Sequence, residues 1–232
     1  AVRQALQMVK DGASVIDVGG ESSRPGSKPV SVVIELKRVI PVIKALRKKT
    51  TIPISIDTYK PEVAEAALQA GATWVNDITG LRHPEMRNIV ARYKCRVVIM
   101  HMVGDPQTMQ LRPRYTDVIT DIKKFFVRQT KLAVQAGIKT NKIILDPGIG
   151  FGKTVQHNLN ILNNLNTFTA LGYPILIGAS RKSFIGKLTG AEVPNRLPGT
   201  LAAHWVATQN GATWLRVHDV AEHRQFFTVL GQ

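Results

Sequence analysis

Short apolar runs alternate with longer amphipathic stretches along the whole chain. Seven runs rich in β-branched residues predict strands, most of them ending in a polar residue, at 14–17, 54–57, 74–77, 97–101, 143–146, 175–178 and 214–218. Apolar positions at helical spacing predict helices at 32–48, 61–70, 84–93, 115–136, 159–171, 183–188, 197–210 and 220–230. Val2, Leu6 and Val9 share one face of a further predicted helix. The order predicts a series of βα units.

This alternation predicts a parallel sheet, which is either doubly wound or closed into a barrel. A doubly wound sheet binds its ligand at one switch point, whereas all strand ends of a barrel face one mouth. Nearly every predicted strand ends in Asp, Asn, His or a turn toward Ser180 and Lys182, which favours the barrel. The expected fold is an α/β single-domain (β/α)8 TIM barrel over residues 1–232. Because seven strands are one short of eight, a leading βα unit is expected before Ala1.

The overall composition is that of a globular protein. Hydrophobic residues make up 44% and charged residues 20% of the chain, which excludes a disordered polymer. The longest apolar runs are only a few residues long, so no membrane span is expected. Cys95 is the only cysteine, which excludes a disulfide framework and favours a reducing, cytoplasmic location.

The net charge of +15, from 31 Lys and Arg against 16 Asp and Glu, favours anionic partners. Nucleic acid, anionic lipid and a phosphorylated metabolite all satisfy this condition. The basic residues are scattered, and no helix carries a basic stripe with interleaved aromatic residues. A solvated basic surface is therefore favoured over a nucleic-acid interface.

Five polar residues stand at or near the ends of predicted strands: Asp17, Asp57, Asn76, Asp77 and Asp146. Any one of them could cap a helix or close a turn instead of binding a ligand. If the strand ends converge on one barrel mouth, however, the carboxylates need donors. A ligand with several ring N–H groups supplies them without a metal.

Cationic residues follow the last two predicted strands. Lys182 stands where a helix begins, where a positive charge is unfavourable by about a few tenths to 1 kcal/mol, so a carboxylate or electron-rich ligand group is expected beside it. Ser183 and the neighbouring N–H groups could hold a carboxylate. Arg216 and His218 are two residues apart on a strand, so they share one side and predict an anion site. His101 is expected to be structural.

The glycine-rich segment 148–154 fails the phosphate-loop and dinucleotide-binding patterns by one residue each, although its three glycines permit close backbone approach to a ligand. Together with six other segments it resembles the dihydropteroate synthase family of the folate pathway. The matching segments are DVGGESSRPG at 17–26, SIDT at 55–58, VND at 75–77, MHM at 100–102, LDPGIGFGK at 145–153, GASRKS at 178–183 and RVHD at 216–219.

The resemblance implies a barrel that condenses 6-hydroxymethyl-7,8-dihydropterin diphosphate with p-aminobenzoate and releases pyrophosphate. The residues implied to hold the pterin are Asp57, Asn76, Asp146 and Lys182. Arg216 is implied to lie against the ring and, with His218, to meet the pyrophosphate. Lys182, Arg216 and His218 are thus the implied catalytic residues. The expected reaction is dissociative and needs no nucleophilic side chain.

The same resemblance implies how the second substrate is bound. Ser23, Arg24 and Pro25 are similar to a loop that closes the p-aminobenzoate site, with Ser23 where a threonine is common. Ser183 with Lys182 is similar to the end that holds the carboxylate. Mg²⁺ is the implied cofactor, and the family asparagine that helps to bind it would precede Ala1. A homodimer is also implied.

Two further classes, and an inactive form of the synthase, remain alternatives at this point. A pterin-dependent methyltransferase would share the barrel and the Asp and Asn set but would not need Lys182 and Ser183. A non-catalytic basic binding protein would owe its behaviour to the net charge and would bind random DNA in a salt-sensitive way. The synthase without a leading βα unit could also be inactive.

Overall fold

The computed structural model describes residues 1–23, 26–104, 107–109 and 113–231. Its strands are β1 Ile16–Gly19, β2 Ile54–Asp57, β3 Trp74–Asp77, β4 Arg96–Met100, β5 Ile143–Asp146, β6 Leu176–Ile177 and β7 Trp214–Leu215. Strands β1 to β5 pair in parallel in chain order, and β6 pairs in parallel with β7. A parallel bridge between Leu145 and Ile175 joins β5 to the chain entering β6. The order has no switch point, which decides against a doubly wound sheet.

Helices lie between the strands, as the pattern predicts. They are α1 Val2–Lys10, α2 Val32–Arg47, α3 Pro61–Gln69, α4 Pro84–Tyr93, α5 Val118–Gln135, α6 Val155–Asn163, α7 Asn166–Thr169, α8 Ser183–Thr189, α9 Leu197–Gln209 and α10 Val220–Val229. Short 3₁₀ turns occur at Thr140–Lys142 and Val193–Asn195. None of the described helices is long and apolar enough to cross a membrane.

Two predicted helix boundaries are wrong, and capping explains both. The helix predicted over 159–171 begins at Val155, because Thr154 and His157 form a reciprocal capping box. It is also interrupted, since α7 begins only at Asn166. The helix predicted from residue 115 begins at Val118, because the Asp117 carboxylate accepts the Thr120 N–H at 2.7 Å.

Alternate strand residues face opposite sides of the sheet. One side packs under the helices and contributes fully buried residues from five strands to the main core: Ile54, Ile56, Val75, Val97, Ile99, Ile143, Leu145, Ile175 and Ile177. The other side forms a separate apolar cluster in which Trp74, Val98, Ile144 and Leu176 pack with Val15 and Trp214. The strands therefore have an inner layer distinct from the helix-covered core.

Contact between distant strands shows that the sheet curls. The rings of Trp74 on β3 and Trp214 on β7 meet edge to face with centroids 5.0 Å apart, although the two strands are not neighbours in the sheet. The fold is thus a (β/α)8-type barrel with seven strands where seven were predicted. Strands β6 and β7 are shorter than predicted, and β1 begins and ends two residues later, so Asp17 lies within it and not at its end. Among the described residues no strand pairs with the outer edges of β1 and β7, and a groove of about 940 Å³ lies there.

Candidate active site

Strand parity brings polar side chains together on the inner side of the barrel. Asp57 and Asn76 are register partners on β2 and β3, and the Asn76 Nδ2 atom donates to Asp57 Oδ1 at 2.6 Å. Asp146 is the last residue of β5, paired in register with Met100. Asp17 on β1 pairs in register with Ser55, which lies two residues before Asp57. Asp17, Asp57, Asn76 and Asp146 therefore occupy the same face of the sheet.

Arg216, just after β7, connects these carboxylates across the barrel. Its Nε atom lies 2.9 Å from Asp17 Oδ2, and one of its terminal nitrogens lies 3.3 Å from Asp146 Oδ2. About a third of the Arg216 side chain (31%) remains exposed. The guanidinium is thus shared between β1 and the end of β5 and still faces open space.

The turn after β5 holds Asp146 from the other side. The Gly148 N–H donates to Asp146 Oδ1 at 2.8 Å. Gly148 adopts φ +71°, and a Cβ atom there would stand 2.1 Å from the His101 carbonyl oxygen. Only glycine fits this position, so the glycine-rich sequence after Asp146 serves to fold the chain closely around that carboxylate.

The electrostatics of the inner face favour a donor ligand. Burial, reinforced by the nearby Asp17 charge and opposed by Arg216 and Asn76, raises the pKa of Asp57 to about 7. Burial likewise raises the pKa of Asp146, against the opposing effects of Arg216 and the Gly148 N–H. The Asn76 Oδ1 atom is buried without a hydrogen-bond partner among the described residues. A ligand donor would satisfy the Asn76 oxygen and would favour the ionised form of both carboxylates.

Asp77, expected with the others at the mouth, has a structural role instead. It lies on the opposite face of β3 from Asn76 and is fully buried. Its carboxylate accepts from the Thr79 N–H at 2.8 Å, the Thr79 hydroxyl at 2.7 Å and the Leu81 N–H at 3.0 Å. All the donors it needs come from the turn that precedes α4.

Lys182 and Phe151 form the wall next to Asp146. The Lys182 ammonium lies 4.1 Å from the centroid of the Phe151 ring, and its charge favours the ionised form of Asp146. The ring and the carboxylate therefore compensate the cation that precedes α8. Ser183, the first residue of α8, is exposed. Phe151 was not predicted, although an aromatic residue between two glycines is an available signal.

Phe151 belongs to a small apolar cluster that is separate from the main core. Its partners are Ile78, Met100, Met102 and Met109, with Tyr59 packed against them. Met100 and Met102 thus pack beside the site, outside the main core. The cluster supplies a flat, apolar surface beside the polar inner face.

A buried amine, also missed from the sequence, fixes the loop that carries Phe151. Lys153 is 4% exposed, and its Nζ atom lies 2.9 Å from the Phe151 carbonyl and 3.2 Å from His101 Nδ1. Burial lowers the pKa of Lys153 to about 7. His101 is thus structural, as expected, because it anchors this loop to the end of β4.

His218 lies apart from the inner network. It is exposed, its Nδ1 atom lies 2.8 Å from the Ser180 hydroxyl, and its backbone N–H donates to the same hydroxyl at 3.2 Å. Next to Ser180, Arg181 adopts φ +56° and forms a two-pronged ion pair with Asp219. A positive φ at arginine is strained by about 1–3 kcal/mol, so these contacts hold the turn in place.

Ser23 reaches the site through the loop after β1. It shares the lining of a small cavity with Asp57 and Tyr59. Arg24 and Pro25, the other members of the loop motif, lie outside the described residues. Ser23 is therefore the one predicted loop contact whose position is described.

An ion cluster anchors this loop. The Lys60 ammonium lies 2.5 Å from a carboxylate oxygen of both Glu21 and Glu35, and Glu35 is 1% exposed. Glu21 also accepts from the Tyr59 hydroxyl at 2.8 Å and the Val30 N–H at 2.9 Å. Nothing in the sequence pattern predicted this cluster.

Comparison with known proteins places the chain in a family. Residues 1–218 match the model of the pterin binding enzymes. The dihydropteroate synthase of Synechocystis is 48% identical over 231 residues, covering 99% of this chain and 80% of the relative. That of Escherichia coli is 45% identical over 222 residues, covering 96% and 79%. The chain belongs to the dihydropteroate synthases.

Solved dihydropteroate synthases have the same fold. The Xanthomonas albilineans enzyme with 4-aminobenzoic acid superimposes with a TM-score of 0.95 at 44% identity, covering 99% of this chain and 82% of that one. Its complex with 7,8-dihydropteroate gives a TM-score of 0.90 at 41% identity, covering 99% and 82%. As a dihydropteroate synthase the chain is a transferase of folate biosynthesis, which decides against the methyltransferase and the non-catalytic binding protein.

The described part of this dihydropteroate synthase chain offers no protein cage for a metal. Within the described ranges, no group of three His, Cys, Asp or Glu side chains is arranged to hold an ion. Mg²⁺, however, commonly keeps several waters and binds through substrate phosphates with one or two carboxylates. Asp17, whose side chain is 24% exposed at the edge of the site and pairs with Arg216, suits that mode of binding.

Proposed function

We propose that this site condenses 6-hydroxymethyl-7,8-dihydropterin diphosphate with p-aminobenzoate to give 7,8-dihydropteroate and pyrophosphate. The observation that carries the proposal is the unpartnered Asn76 Oδ1 atom together with the raised pKa values of Asp57 and Asp146, next to the cations Lys182 and Arg216. The amino and ring N–H groups of a pterin match these acceptors. The solved relatives with 4-aminobenzoic acid and 7,8-dihydropteroate support the choice of second substrate and product.

The inner face binds the pterin. The free Asn76 Oδ1 atom accepts from the ring, and Asp57 and Asp146 accept from its amino and N–H groups. Lys182 donates to an electron-rich ring atom, while the Arg216 guanidinium lies against the ring. Because Arg216 is already held by Asp17 and Asp146, little side-chain entropy is lost when the ligand binds.

The reaction begins with departure of pyrophosphate. The bond between the pterin methylene carbon and the diphosphate oxygen breaks, and its electron pair leaves with pyrophosphate. Arg216 and His218 donate hydrogen bonds to the departing oxygens, and Asp57 and Asp146 stabilise the positive charge that develops on the pterin. This division follows from the geometry, because His218 is exposed, whereas Asp146 is buried and Asp57 is partly buried.

The p-aminobenzoate nitrogen then attacks the methylene carbon. Its lone pair forms the new C–N bond, and the proton it loses passes to solvent or to pyrophosphate. Phe151 supplies an apolar face for the aromatic ring, while Lys182 and Ser183 bind the carboxylate. Ser23 closes the site from the loop after β1, and the family resemblance implies a contact with the same substrate for Arg24. No nucleophilic side chain is required.

Mg²⁺ is the proposed cofactor, and Asp17 would help to hold it together with the substrate diphosphate. When bound, it neutralises charge on the leaving pyrophosphate. Removal of divalent ions with EDTA should abolish turnover, and Mg²⁺ should restore it. We further propose a homodimer in the cytoplasm, without a nucleic-acid partner. The dimer is tested by analytical ultracentrifugation, the location by cell fractionation and the lack of a nucleic-acid partner by titration with random DNA at low salt.

The direct test measures pyrophosphate release from the dihydropterin diphosphate with and without p-aminobenzoate. We expect release that depends on p-aminobenzoate, stoichiometric formation of dihydropteroate, and competition by a sulfonamide against p-aminobenzoate. The Lys182→Met variant should lose turnover, whereas the control Lys142→Met, in the 3₁₀ turn before β5, should not. Methyl transfer from methyltetrahydrofolate without pyrophosphate release would contradict the proposal.

A further inference from the structure

A buried chain of hydrogen bonds joins the end of β6 to the start of α10. The Ala179 N–H donates to His204 Nε2 at 3.1 Å. His204 Nδ1 lies 2.8 Å from His223 Nε2, and His223 Nδ1 lies 2.6 Å from the Asp219 carbonyl oxygen. His204 is 0% and His223 is 5% exposed. Neither histidine belongs to the site described above.

The groups at the two ends of this hydrogen-bond chain determine which imidazole nitrogens carry protons. A backbone N–H can only donate, so His204 Nε2 must accept and its Nδ1 atom must carry the proton. His223 Nε2 then accepts from His204, and His223 Nδ1 donates to the Asp219 carbonyl, which can only accept. One arrangement satisfies every atom, with both imidazoles neutral and protonated at Nδ1. Burial also lowers the pKa of His204 to about 3 and lowers that of His223.

The segments that this chain joins carry the cationic residues of the site. Ala179 is three residues before Lys182, and Asp219 directly follows His218. The same two segments are also linked by Ser180 with His218 and by Arg181 with Asp219. Those links are at least partly exposed, whereas the histidine chain passes through the interior, between α9 and α10. The histidine chain therefore connects the two segments through the protein interior.

We propose that His204 and His223 are positioning residues that fix the Lys182 turn relative to His218, and so the diphosphate side of the site. The inference rests on the proposed function, because it takes Lys182 and His218 as ligands of the dihydropterin diphosphate. Neither histidine touches the substrate. Their effect passes through the backbone at Ala179 and Asp219, where loss of an imidazole leaves a buried donor or acceptor unsatisfied.

Proton positions are tested first, by ¹⁵N NMR of the histidine side chains in the whole chain. We expect two neutral imidazoles protonated at Nδ1 that do not titrate between pH 5 and 8. A protonated Nε2 atom in either residue, or titration within that range, would overturn the proposed chain. This readout does not depend on catalysis, so it tests the histidine chain even if the proposed function is wrong.

Positioning is tested with the His223→Leu and His223→Gln variants. Leucine can neither donate nor accept, whereas a glutamine amide can accept from His204 and donate to Asp219. We expect the KM for the dihydropterin diphosphate to rise about tenfold in His223→Leu, with kcat less affected, and to return to within about threefold of the parent in His223→Gln. The exposed His83→Leu variant is the control and should match the parent.

The outcomes separate the two proposals. Unchanged KM in His223→Leu, or equal losses in the leucine and glutamine variants, would overturn the positioning role while the parent enzyme still turns over. Absence of turnover in the parent would contradict the proposed function instead. If His223→Leu does not fold, affinity for pyrophosphate measured by calorimetry on His223→Gln still decides, since a tenfold loss there would contradict rescue.

Discussion

The inner face of the barrel and the clusters that anchor its loops differ in how far nearby donors and cations compensate the burial of their carboxylates. On the inner face, Asp57 and Asp146 have raised pKa values and Asn76 Oδ1 is unsatisfied. In the anchor below the β1 loop, Lys60 bridges Glu21 and Glu35. In the anchor, the hydrogen bonds from Lys60, Val30 and Tyr59 outweigh burial and lower the pKa of Glu21, although Glu35 Oε1 is also buried without a partner among the described residues. The inner face therefore favours a donor ligand, whereas the anchor supplies most of its own donors.

This difference predicts that the two regions respond oppositely to mutation. Removing a charge from the inner face should remove activity at little cost in stability, because the charge is unfavourable without its ligand. Removing a charge from the anchor should cost stability and change activity less. Functional sites commonly carry such local instability, which the rest of the fold supports.

The largest effect is expected for Asp146→Asn. We expect kcat/KM for the dihydropterin diphosphate to fall by about 10²–10³, because a charge that stabilises the transition state is lost. Stability should change by less than about 1 kcal/mol, since asparagine still accepts from the Gly148 N–H and Arg216 keeps Asp17. Steady-state kinetics and urea denaturation measure the two quantities. The control is Asp117→Asn at the N-cap of α5, where asparagine caps equally well and the kinetics should be unchanged.

The anchor is tested by Lys60→Met, which leaves the buried Glu35 carboxylate without its cation. We expect a loss of about 3 kcal/mol, near the lower end for a broken buried ion pair. The matched control, Arg92→Met, breaks the exposed pair with Glu65 and should cost less than about 1 kcal/mol. The KM for p-aminobenzoate should rise only severalfold, through the loosened β1 loop. Equal stability of the two variants would contradict the assigned difference between the regions.

Much of the inner face could be predicted from the sequence, because strand residues alternate with a period of two. Asp57, Asn76 and Asp146 stand at strand ends that a parallel barrel brings together, and the structure places them there. The same parity separates Asp77 from its neighbour Asn76, so its structural role was available from the pattern. The end of a strand is marked by residues that are neighbours in the sequence, so it can be recognised from the sequence alone.

The anchors could not be predicted in this way, because they depend on contacts between distant segments. Lys60 meets Glu35 across 25 residues, and Arg181 meets Asp219 across 38. No spacing rule connects such pairs before the barrel is built. The helix that begins at Val155 was missed for a different reason, since its capping box uses a histidine where Glu or Gln is usual.

A third prediction concerns pH and Asp57. Its pKa of about 7 in the folded state exceeds the unfolded value near 4, so the folded state binds more protons between those pH values. Its contribution to stability therefore falls as pH rises from about 4 to about 7. Asparagine does not titrate and still accepts from Asn76. The free energy of unfolding of Asp57→Asn should therefore increase relative to that of the parent over that pH range. We expect a gain of about 1–2 kcal/mol at pH 8, held below the full shift because Asp57 is only half-buried.

Urea denaturation of Asp57→Asn and the parent, repeated between pH 5 and 8, measures this gain. Asp117→Asn is again the control: the pKa of Asp117 is lowered by hydrogen bonds to Thr120, so its contribution should be constant across this range. Activity of Asp57→Asn should fall at every pH, by less than in Asp146→Asn. If the free energies of unfolding of parent and variant change in parallel with pH, the pKa of Asp57 is not raised in the folded state.

The smallest effect is expected for the Tyr59 hydroxyl, which donates to Glu21 at 2.8 Å. Tyr59→Phe should cost about 0.5–1.5 kcal/mol, because Glu21 keeps Lys60 and the Val30 N–H. It should also raise the KM for p-aminobenzoate about twofold, since Glu21 holds the loop that carries Ser23. Tyr93→Phe is the matched comparison, because its hydroxyl bonds to Gln69 and Glu65 on the outer surface, away from the site. Similar stability losses with a KM change only in Tyr59→Phe would tie the anchor to the p-aminobenzoate side. An unchanged KM in both variants would show that the anchor contributes to stability but not to p-aminobenzoate binding.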